Sequence, residues 1–304
     1  MSIDSRLKLL SHSSIRSFHT CPRKYQLTKT YPEAVRESNV DLDFGSAFGE
    51  GIQALIEGCS MQDAVFRAIL QWSGDLTETK KDKSIWTCIS GMEKFLVLRD
   101  MGTLADYEIA YWKGKPCTEL SFRITLPEGF YYRGYLDMLL RHKLSGELLV
   151  VDIKTSGANY SNPAKYVNSG QNIGYSIVVD KIAPGTSSFE VMYYEYLTGV
   201  KKFVEHTFMV GVLARANWLR NIRLDINTML MYDKLEVNEW PQHGESCSAH
   251  NSQCQFIDVC MMTNKSLLGE LELRDAKEID AVEEYDIEVS FEELISNQLD
   301  RIRG

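Results

Sequence analysis

The sequence predicts an α/β protein with a mixed β-sheet, flanking helices and a helical N-terminal part. Apolar residues recur at helical spacing through most of the first hundred positions. Three segments with alternating or continuous apolar residues follow, and after them come one helix, two strands and a long helix. This order favours a mixed sheet, because a purely parallel sheet requires strands and helices to alternate.

The composition is that of a globular protein with a substantial core. The chain has 304 residues, of which 44% are hydrophobic and 25% charged, and this excludes disordered and fibrous proteins. No apolar run approaches the roughly 20 residues that a membrane helix needs, and the first residues have no apolar signal core. We therefore expect a cytoplasmic protein.

The net charge of −9 is unevenly distributed. Residues 270–304 contain 12 acidic and 4 basic side chains, so the rest of the chain is almost neutral. The overall charge gives no argument for nucleic-acid binding, but it leaves room for a local basic groove.

Four helices are predicted in the first third of the chain. The first has Ser13 or Ser14 as its cap, and Ile15, Phe18 and Tyr25 lie near helical spacing. The predicted helices cover residues 13–29, 47–56, 61–72 and 84–99.

Strands dominate the middle of the chain. Short breaks at residues 127–129 and 144–146 separate three apolar segments, which predicts strands over 120–126, 131–140 and 147–153 joined by hairpin turns. A helix over 163–179 follows. Two further strands, 189–197 and 201–208, flank the turn at Thr198-Gly199, and a long helix is predicted over 212–231.

The strongest functional pattern is G-Y-L-D at 134–137 followed by V-V-D-I-K-T at 150–155. Asp137 is predicted near the end of the second strand, and Asp152 and Lys154 at the end of the third. Residues two apart in a strand face the same side, so Asp152 and Lys154 point together. If the two strands pair across the short turn, Asp137 comes close to Asp152.

Two adjacent carboxylates repel each other unless a cation lies between them. Oxygen ligands suit Mg²⁺ or Mn²⁺, and a nearby lysine can orient or deprotonate a water or stabilise charge on a phosphate. This is the chemistry of phosphodiester hydrolysis. The Ile153 carbonyl is a candidate extra ligand, and Glu119 is a candidate further acid. The alternative is an ordinary surface salt bridge between Asp152 and Lys154, with Asp137 exposed.

These motifs resemble the PD-(D/E)XK nuclease superfamily in its RecB-like branch. That branch carries Q-x-x-x-Y on the helix after the D-x-K strand, matched here by Gln171 and Tyr175, which are one helical turn apart. The resemblance implies a restriction-endonuclease-like core and Mg²⁺- or Mn²⁺-dependent cleavage of DNA, with exonuclease action on ends or single strands. It also places Gln171 and Tyr175 beside the metal on the DNA path. Read alone, the pair would be a solvent-facing Gln and a core Tyr.

Three cysteines, Cys247, Cys254 and Cys260, are close together near the C-terminus. In a cytosolic protein such spacing favours metal binding over a disulfide, and a tetrahedral site needs a fourth ligand. The candidates are His243, His250 and Cys21. Cys21 lies in the segment 11–27, SHSSIRSFHTCPRKYQL, which resembles the start of RecB-like nucleases; its plain alternative is a helix break with basic surface residues.

The same resemblance implies a [4Fe–4S] cluster. Some RecB-like nucleases, including CRISPR-adaptation nucleases and phage-encoded relatives, hold such a cluster with one N-terminal and three C-terminal cysteines, as Cys21, Cys247, Cys254 and Cys260 are arranged. The cluster would clasp the C-terminal segment to the N-terminal part. Asn251 occupies a position where the usual spacing has a cysteine. Zinc and inert thiols are the alternatives.

One position departs from the branch pattern. A helix near the N-terminus often carries a metal-binding His four residues after a Gly, and here Gly49 stands four residues after Gly45. Glu50, Gln53 or a water would take that place. The departure supports an alternative function: a DNA-binding or assembly module that keeps the fold but cleaves weakly or not at all. An RNA-processing hydrolase is a third interpretation.

The predicted nuclease domain covers residues 1–266, and 267–304 form an acidic C-terminal extension. Its end has Phe291, Leu294, Ile295, Leu299 and Ile302 near helical spacing, which predicts an amphipathic helix. That helix would bind a protein partner or occupy the DNA groove; the simpler alternative is that it packs on its own domain.

Overall fold

The computed structural model describes residues 4–31, 39–235, 239–251, 253–261 and 284–303. Its α-helices are α1 (His12–Thr20), α2 (Pro22–Thr30), α3 (Val40–Ile56), α4 (Met61–Gln71), α5 (Ile85–Asp100), α6 (Gly170–Ile182), α7 (Val212–Tyr232), α8 (Ile257–Met261) and α9 (Phe291–Arg303). Its strands are β1 (Leu9–Leu10), β2 (Tyr107–Ile109), β3 (Tyr111–Trp112), β4 (Lys115–Pro116), β5 (Thr118–Thr125), β6 (Tyr131–His142), β7 (Leu148–Ser156), β8 (Ser188–Leu197), β9 (Lys202–Gly211) and β10 (Ile287–Ser290).

The first predicted helix, 13–29, is two helices. Ser11 caps α1, where its side chain accepts from the Ser14 N–H and the Ser14 side chain accepts from the Ser11 N–H. Cys21 between the two helices is extended, with φ −161°. Pro22 causes the break, because proline disfavours helical backbone in the residue before it but suits the first position of a helix.

The chain divides into two compact units. We call residues 38–120, 135–215 and 300–304 the larger unit, and residues 1–37, 121–134 and 216–299 the smaller unit.

The sheet of the larger unit is mixed, as predicted. Strand β6 pairs antiparallel with β2 and with β7, β7 pairs parallel with β8, and β8 pairs antiparallel with β9. The β6–β7 register places Met138 opposite Val151 and Arg141 opposite Leu148. The hairpin predicted between these two strands is therefore present.

Helices α3, α4 and α5 share one apolar core with this sheet. Phe48 of α3 stacks on Tyr196 of β8, with ring centroids 4.9 Å apart, and Phe95 of α5 meets Tyr194 edge-on at 5.8 Å. Alternate residues of the strands supply this face, since side chains two apart in a strand point the same way. The remaining residues of β6, β7 and β8 point to the opposite face of the sheet.

Close packing at this core makes a testable difference between two helical glycines. A Cβ on Gly91 would lie 2.7 Å from Phe48 Cε2 and 2.9 Å from Tyr196 Cε1, whereas a Cβ on Gly49 would meet nothing within 4 Å. We expect Gly91→Ala to destabilise the protein by about 1 to 3 kcal/mol through overpacking. Gly49→Ala should stabilise it by roughly 0.5 to 1 kcal/mol through helix propensity. Urea unfolding of both variants measures this; equal effects would contradict the packing.

The smaller unit contains the ends of two strands and two short parallel partners. Leu9 of β1 pairs with Tyr131 of β6, and β10 pairs in parallel with β5 from Phe122 to Thr125. Ser121 donates from its N–H and its hydroxyl to Asp286, at 3.1 and 2.9 Å. The acidic C-terminal segment thus supplies a strand that the sequence did not predict.

The predicted amphipathic helix at the C-terminus is α9. Phe291 and Leu294 are buried, as the packed alternative expects. Arg301, near the end of the helix, donates to Asp180 of α6 at 2.6 Å. Residues 262–283 lie outside the described ranges, and the separability of 267–304 stays a prediction.

Two further expectations need correction. The predicted helix 163–179 is a single 3₁₀ turn at Pro163–Lys165 followed by α6, which begins only at Gly170. Asp137 lies in the middle of β6 and not near its end, because the strand continues to His142. Among the described helices, none has the length and apolar character to span a bilayer.

Candidate active site

Asp137 and Asp152 face each other across two strands of the larger unit. They stand one step beyond the Met138–Val151 pair of the β6–β7 ladder, so their side chains project from the same face. The two carboxyl groups are within hydrogen-bonding reach of each other. Like charges directly opposite in a sheet are destabilising, so this pair is kept at a cost in stability.

The electrostatics of the pair show a shortage of positive charge. Burial, and then the adjacent Asp152 carboxylate, raise the pKa of Asp137 well above its usual value. Asp152 itself is fully buried. The Asp137 carboxyl therefore keeps its proton to a higher pH than an exposed aspartate does.

Lys154 is the cation beside them. Its Nζ lies 2.7 Å from Asp152 Oδ2. Burial acts to lower the pKa of this ammonium, but the attraction of Asp152 and Asp137 outweighs it and raises the pKa above its usual value. Lys154 is therefore protonated, and it is better suited to stabilising charge than to deprotonating a water.

Gln171 and Tyr175 contact both aspartates. Gln171 Nε2 donates to Asp152 Oδ1 at 3.2 Å and to the Tyr175 hydroxyl at 2.7 Å, and that hydroxyl donates to Asp137 Oδ1 at 3.3 Å. Both side chains project from the first turns of α6, one turn apart. Gln171 is half-buried and Tyr175 is buried, so Gln171 does not simply face solvent. The pair holds the two carboxylates in place.

Glu119 belongs to the same group of acids. The surrounding protein desolvates its carboxyl group, and with the charges of Glu50 and Asp152 this raises its pKa to about 7. Its backbone has φ +51°, a left-handed conformation that a glutamate in a strand rarely adopts. Strain of this kind is concentrated at functional sites, where surrounding structure enforces it.

Several of these residues line an open cavity of about 550 Å³ in the larger unit. Its walls include Asp41, Gly45, Gly49, Glu50 and Gln53 from α3, together with Glu119, Asp137, Ile153, Lys154 and Thr155 from the strands. Of the predicted metal ligands, Asp137, Ile153 and Glu50 line the cavity, and Asp152 is paired with Lys154 of its wall. The predicted catalytic residues Glu119 and Lys154 line it as well.

The predicted metal ligand Glu50 is already paired with an arginine, which would compete with a metal ion for its carboxylate. Arg67 Nε donates to Glu50 Oε1 at 2.5 Å, and Arg67 Nη1 donates to Glu57 Oε2 at 2.7 Å. Gly49 beside it leaves open space toward the cavity. The position where the resemblance expects a His is therefore empty of side chain, and the neighbouring carboxylate is tied to an arginine.

The donor set fits a hard divalent cation. Asp137, Asp152 and Glu119 offer carboxylate oxygens, and Ile153 adds a carbonyl at the wall. The raised pKa values of Asp137 and Glu119 mark an excess of negative charge. Nevertheless, in the described part of the chain no group of three or more His, Cys, Asp or Glu is already arranged to hold a metal ion. The assignment of these ligands stays a prediction.

Asp41 lines this cavity but was not predicted from the sequence as a site residue. It forms ion pairs with Lys80, at 2.6 Å, and Lys83, at 2.8 Å. The prediction began the helix at residue 47, whereas α3 begins at Val40 and Asn39 caps it by accepting from the Asp41 N–H. Asn39 followed by Asp41 and Asp43 was the available signal, since such residues favour the start of a helix.

Buried Glu195 holds the segment between β7 and α6. It is the register partner of Lys154 on β8, and it accepts a hydrogen bond from Ser161. Ser161 Oγ also lies 2.5 Å from His206 Nε2, and Lys165 Nζ lies 3.7 Å from Glu195 Oε1. This network fixes the chain that leads from Lys154 to Gln171.

The smaller unit brings the predicted cysteines together. The pKa of the Cys260 thiol is raised first by burial, with Cys254 and Cys21 adding to the increase and Arg23 opposing it. The Cys254 N–H donates to the Cys247 carbonyl at 2.7 Å. Cys21 therefore lies near Cys260, which is more than two hundred residues away in sequence.

Of the two histidine alternatives, the structure describes the side chain of His243. His243 Nδ1 lies 2.9 Å from the Thr20 carbonyl, so this imidazole is near Cys21 but already has a partner. The His250 side chain lies outside the described part. The described cysteines are not arranged as a closed metal site as they stand, so iron–sulfur, zinc and free thiols all remain to be tested.

Comparison with known proteins decides the family. A sequence model of the PD-(D/E)XK nuclease superfamily matches residues 9–261. The chain belongs to this superfamily. Nuclease action on phosphodiester bonds, with DNA as the substrate class, follows from membership, and the mixed sheet with flanking helices confirms the predicted restriction-endonuclease-like core.

Two solved structures resemble this PD-(D/E)XK protein at low identity. A candidate exonuclease from Eubacterium rectale is 11% identical, with a TM-score of 0.49 over 90% of this chain and 94% of that one. The protein SSO0001 is 15% identical, with a TM-score of 0.31 over 75% and 88%. No curated protein sequence matches the chain. The family assignment rests on the sequence match alone.

Raised carboxyl pKa values predict how stability depends on pH in this PD-(D/E)XK protein without metal. The ordinary pKa of a glutamate is 4.5, and the pKa of Glu119 in the folded protein is about 7. Between these two pH values the folded state binds more protons than the unfolded chain. Stability should therefore fall as the pH rises through this window. Asp137→Asn should reduce the fall and raise stability at neutral pH by roughly 1 to 2 kcal/mol.

The measurement is the melting temperature from pH 4.5 to 8 in EDTA, for the parent and Asp137→Asn. The difference between the two curves should grow toward neutral pH. A difference that shrinks toward neutral pH would show that Asp137 is not repelled by its neighbours.

Proposed function

We propose that this protein is a Mg²⁺- or Mn²⁺-dependent DNA nuclease of the RecB-like branch. We infer exonuclease action on DNA ends or single strands. The observation that carries the proposal is the pair of opposed carboxyl groups of Asp137 and Asp152. Lys154 forms an ion pair with Asp152, and Gln171 and Tyr175 donate hydrogen bonds to the two aspartates. A structural core would not bury two like charges opposite each other without a use for them.

Each residue has a role that its environment supports. Asp137 and Asp152 hold the cation, with the Ile153 carbonyl, Glu119 and Glu50 as further ligands. The cation, when bound, supplies Lewis-acid stabilisation of the charge that develops on the phosphate. Gln171 and Tyr175 orient the two aspartates and line the path of the DNA.

Lys154 supplies a positive charge that stabilises the negative charge on the reacting phosphate. Its pKa is raised, so at neutral pH it donates hydrogen bonds and does not accept a proton. The ion pair with Asp152 holds its ammonium at the cavity wall. A charged donor fixed in position before the reaction stabilises the transition state without reorganisation.

We also propose that Cys21, Cys247, Cys254 and Cys260 hold a [4Fe–4S] cluster, with Zn²⁺ as the alternative. The proximity of Cys21 to Cys254 and Cys260 supports a shared centre. Such a centre would fix the segment around Cys21 against residues 247–260 of the smaller unit. Association of helix α9 with a protein partner remains a separate proposal.

The test uses anaerobically purified protein and DNA labelled at the 5′ or the 3′ end. We expect Mn²⁺-dependent release of short labelled products from one end of linear DNA, and no cleavage of closed circular single strands. Cleavage of the circles would replace the exonuclease by an endonuclease. Cleavage of RNA but not DNA would favour the RNA-processing alternative.

A second candidate is a DNA-binding module with weak or no cleavage. The Glu50–Arg67 ion pair and the missing side chain at Gly49 favour it, because they remove ligands from one side of the cavity. Lack of cleavage on every substrate and metal, with DNA binding retained, would establish this function.

Gly49→His tests how far this departure limits the enzyme. A Cβ at this position would meet nothing within 4 Å and the residue lines the cavity, so a longer side chain can start there without a backbone clash. We expect the Mn²⁺ concentration for half-maximal cleavage to fall by roughly tenfold, the effect of 1.4 kcal/mol of binding free energy. Gly49→Ala is the control for helix stability. An unchanged metal requirement would mean that no ligand is missing.

A further inference from the structure

A lysine-rich hairpin lies beside the cavity. We call residues 73–84, between α4 and α5, the lysine hairpin. Lys80 and Lys83 both reach Asp41, with their Nζ atoms 2.6 and 2.8 Å from its carboxylate oxygens. Asp41 belongs to the first turn of α3 and lines the cavity. Two lysines are therefore held beside a residue that lines the cavity.

The hairpin has other contacts besides those with Asp41. The Lys80 N–H donates to the Lys83 carbonyl and the Lys83 N–H to the Lys80 carbonyl, each at 3.0 Å. Ser73 is tied to Asp43 of α3 through both its hydroxyl and its N–H. Lys83 also lies over the Phe44 ring, 5.7 Å from its centroid. The lysine side chains can thus change partners while the backbone stays in place.

The cavity needs cations at its entrance if DNA is to enter. Its walls carry the carboxyl groups of Asp41, Glu50, Glu119 and Asp137, and Lys154 is the only Lys or Arg among the described residues that line it. A DNA strand brings one negative charge per nucleotide, and phosphate contacts with lysine supply most of its binding free energy. The lysine hairpin places two such charges beside this acidic interior.

Asp41 resembles a phosphate in charge and in its acceptor oxygens. Its ion pair with Lys80 is exposed, since 40% of the Asp41 side chain and 53% of the Lys80 side chain are open to solvent, whereas the Lys83 side chain is only 12% exposed. Exposed ion pairs contribute little to stability, so breaking the Lys80 pair costs little free energy. An entering phosphate can therefore take the place of the carboxylate.

We propose that the lysine hairpin binds the phosphates of a single DNA strand that enters the cavity, and that Asp41 occupies the phosphate position until the strand arrives. Lys80 and Lys83 exchange Asp41 for the strand, and the released carboxylate faces solvent. This inference rests on the proposed DNA nuclease function and adds the residues that select and position the strand.

The experiment measures binding separately from cleavage. All variants are made in an Asp152→Ala background and titrated with a fluorescent single-stranded oligonucleotide at several salt concentrations. We expect Lys80→Gln with Lys83→Gln to weaken binding by about tenfold or more and to reduce the salt slope by roughly 1.4, about 0.7 for each phosphate that a lysine no longer neutralises. Glutamine keeps much of the side-chain length, and melting temperatures verify the fold.

The matched control is Lys143→Gln. Lys143 is exposed in the turn after β6, and its Nζ is bonded to the Ala105 carbonyl. The β6–β7 ladder runs from this turn toward Asp137 and Asp152. Lys143 therefore lies at the end of the β6–β7 hairpin that is away from the two aspartates. Its replacement should leave affinity and salt slope unchanged. An equal loss in the control and the double variant would overturn the proposal, because binding would then reflect net charge alone.

Asp41→Asn distinguishes exchange from simple repulsion. If Asp41 competes with phosphate for the lysines, the variant should bind several-fold more tightly, and this gain should disappear when Lys80 and Lys83 are glutamine. An undiminished gain would mean that Asp41 only repels DNA and would overturn the exchange. Weaker binding by Asp41→Asn would overturn it too, since Asp41 would then be an anchor of the hairpin.

The outcomes also separate this inference from the proposed function. Binding that responds as expected, in a parent protein that never cleaves DNA, would support the hairpin while refuting catalysis. Cleavage by the parent, with no response of binding to the hairpin variants, would refute the hairpin alone. Tighter binding of an RNA oligonucleotide of the same sequence would overturn the choice of DNA.

Discussion

Asp152→Ala is expected to lower the rate of DNA cleavage by about three orders of magnitude or more, with the fold intact. Asp152 is fully buried, pairs with Lys154, accepts from Gln171 and stands opposite Asp137. Its removal takes away one proposed cation ligand and the carboxylate that is paired with the Lys154 ammonium. Residues that act as a unit in catalysis show losses of this size when one member is removed.

The same variant should not unfold the protein. Removing Asp152 relieves its repulsion with Asp137, which compensates for the loss of the Lys154 ion pair. Asp100→Ala is the matched control, because Asp100 is an exposed acid at the end of α5 with a weak ion pair. The measurement is the initial rate with saturating Mn²⁺, alongside the melting temperature. Cleavage as fast as in the parent would remove Asp152 from the site.

The placement of the two aspartates and the lysine was accessible from sequence because it follows strand periodicity. Asp152 and Lys154 share a face by their spacing, and the three-residue break at 144–146 brings β6 and β7 together. The register that places Asp137 opposite Asp152 then depends only on where the turn lies. Local rules were therefore sufficient for the two aspartates and the lysine.

Features that depend on distant chain segments were not accessible. Strand β10 is four residues long and pairs with β5 about 165 positions earlier, so no local pattern marks its partner. The left-handed backbone of Glu119 is imposed by its surroundings, since a glutamate has no preference for it. The pairing of Asp41 with Lys80 and Lys83 likewise joins a helix start to a loop about 40 residues away.

Cys21→Ala is expected to have the second large effect, on stability and colour. Cys21 is buried beside Cys254 and Cys260, although more than two hundred residues separate it from Cys247 in sequence. A centre shared by these thiols would close a very long loop of the unfolded chain. In the entropic model this contributes about 5 kcal/mol to the free energy of unfolding, as a disulfide across such a loop would.

Freshly purified parent protein should be brown, with broad absorbance near about 400 nm from thiolate-bound iron and sulfide. Cys21→Ala should lose this colour and melt at a much lower temperature. Cys88→Ala is the control, because Cys88 is buried in the core of the larger unit, where burial raises the pKa of its thiol to about 12. That variant should stay brown.

Stoichiometric zinc without iron in anaerobically handled protein would replace the cluster by a zinc site. Colour that survives Cys21→Ala would show that another residue, with His243 or His250 the next candidates, is the fourth ligand.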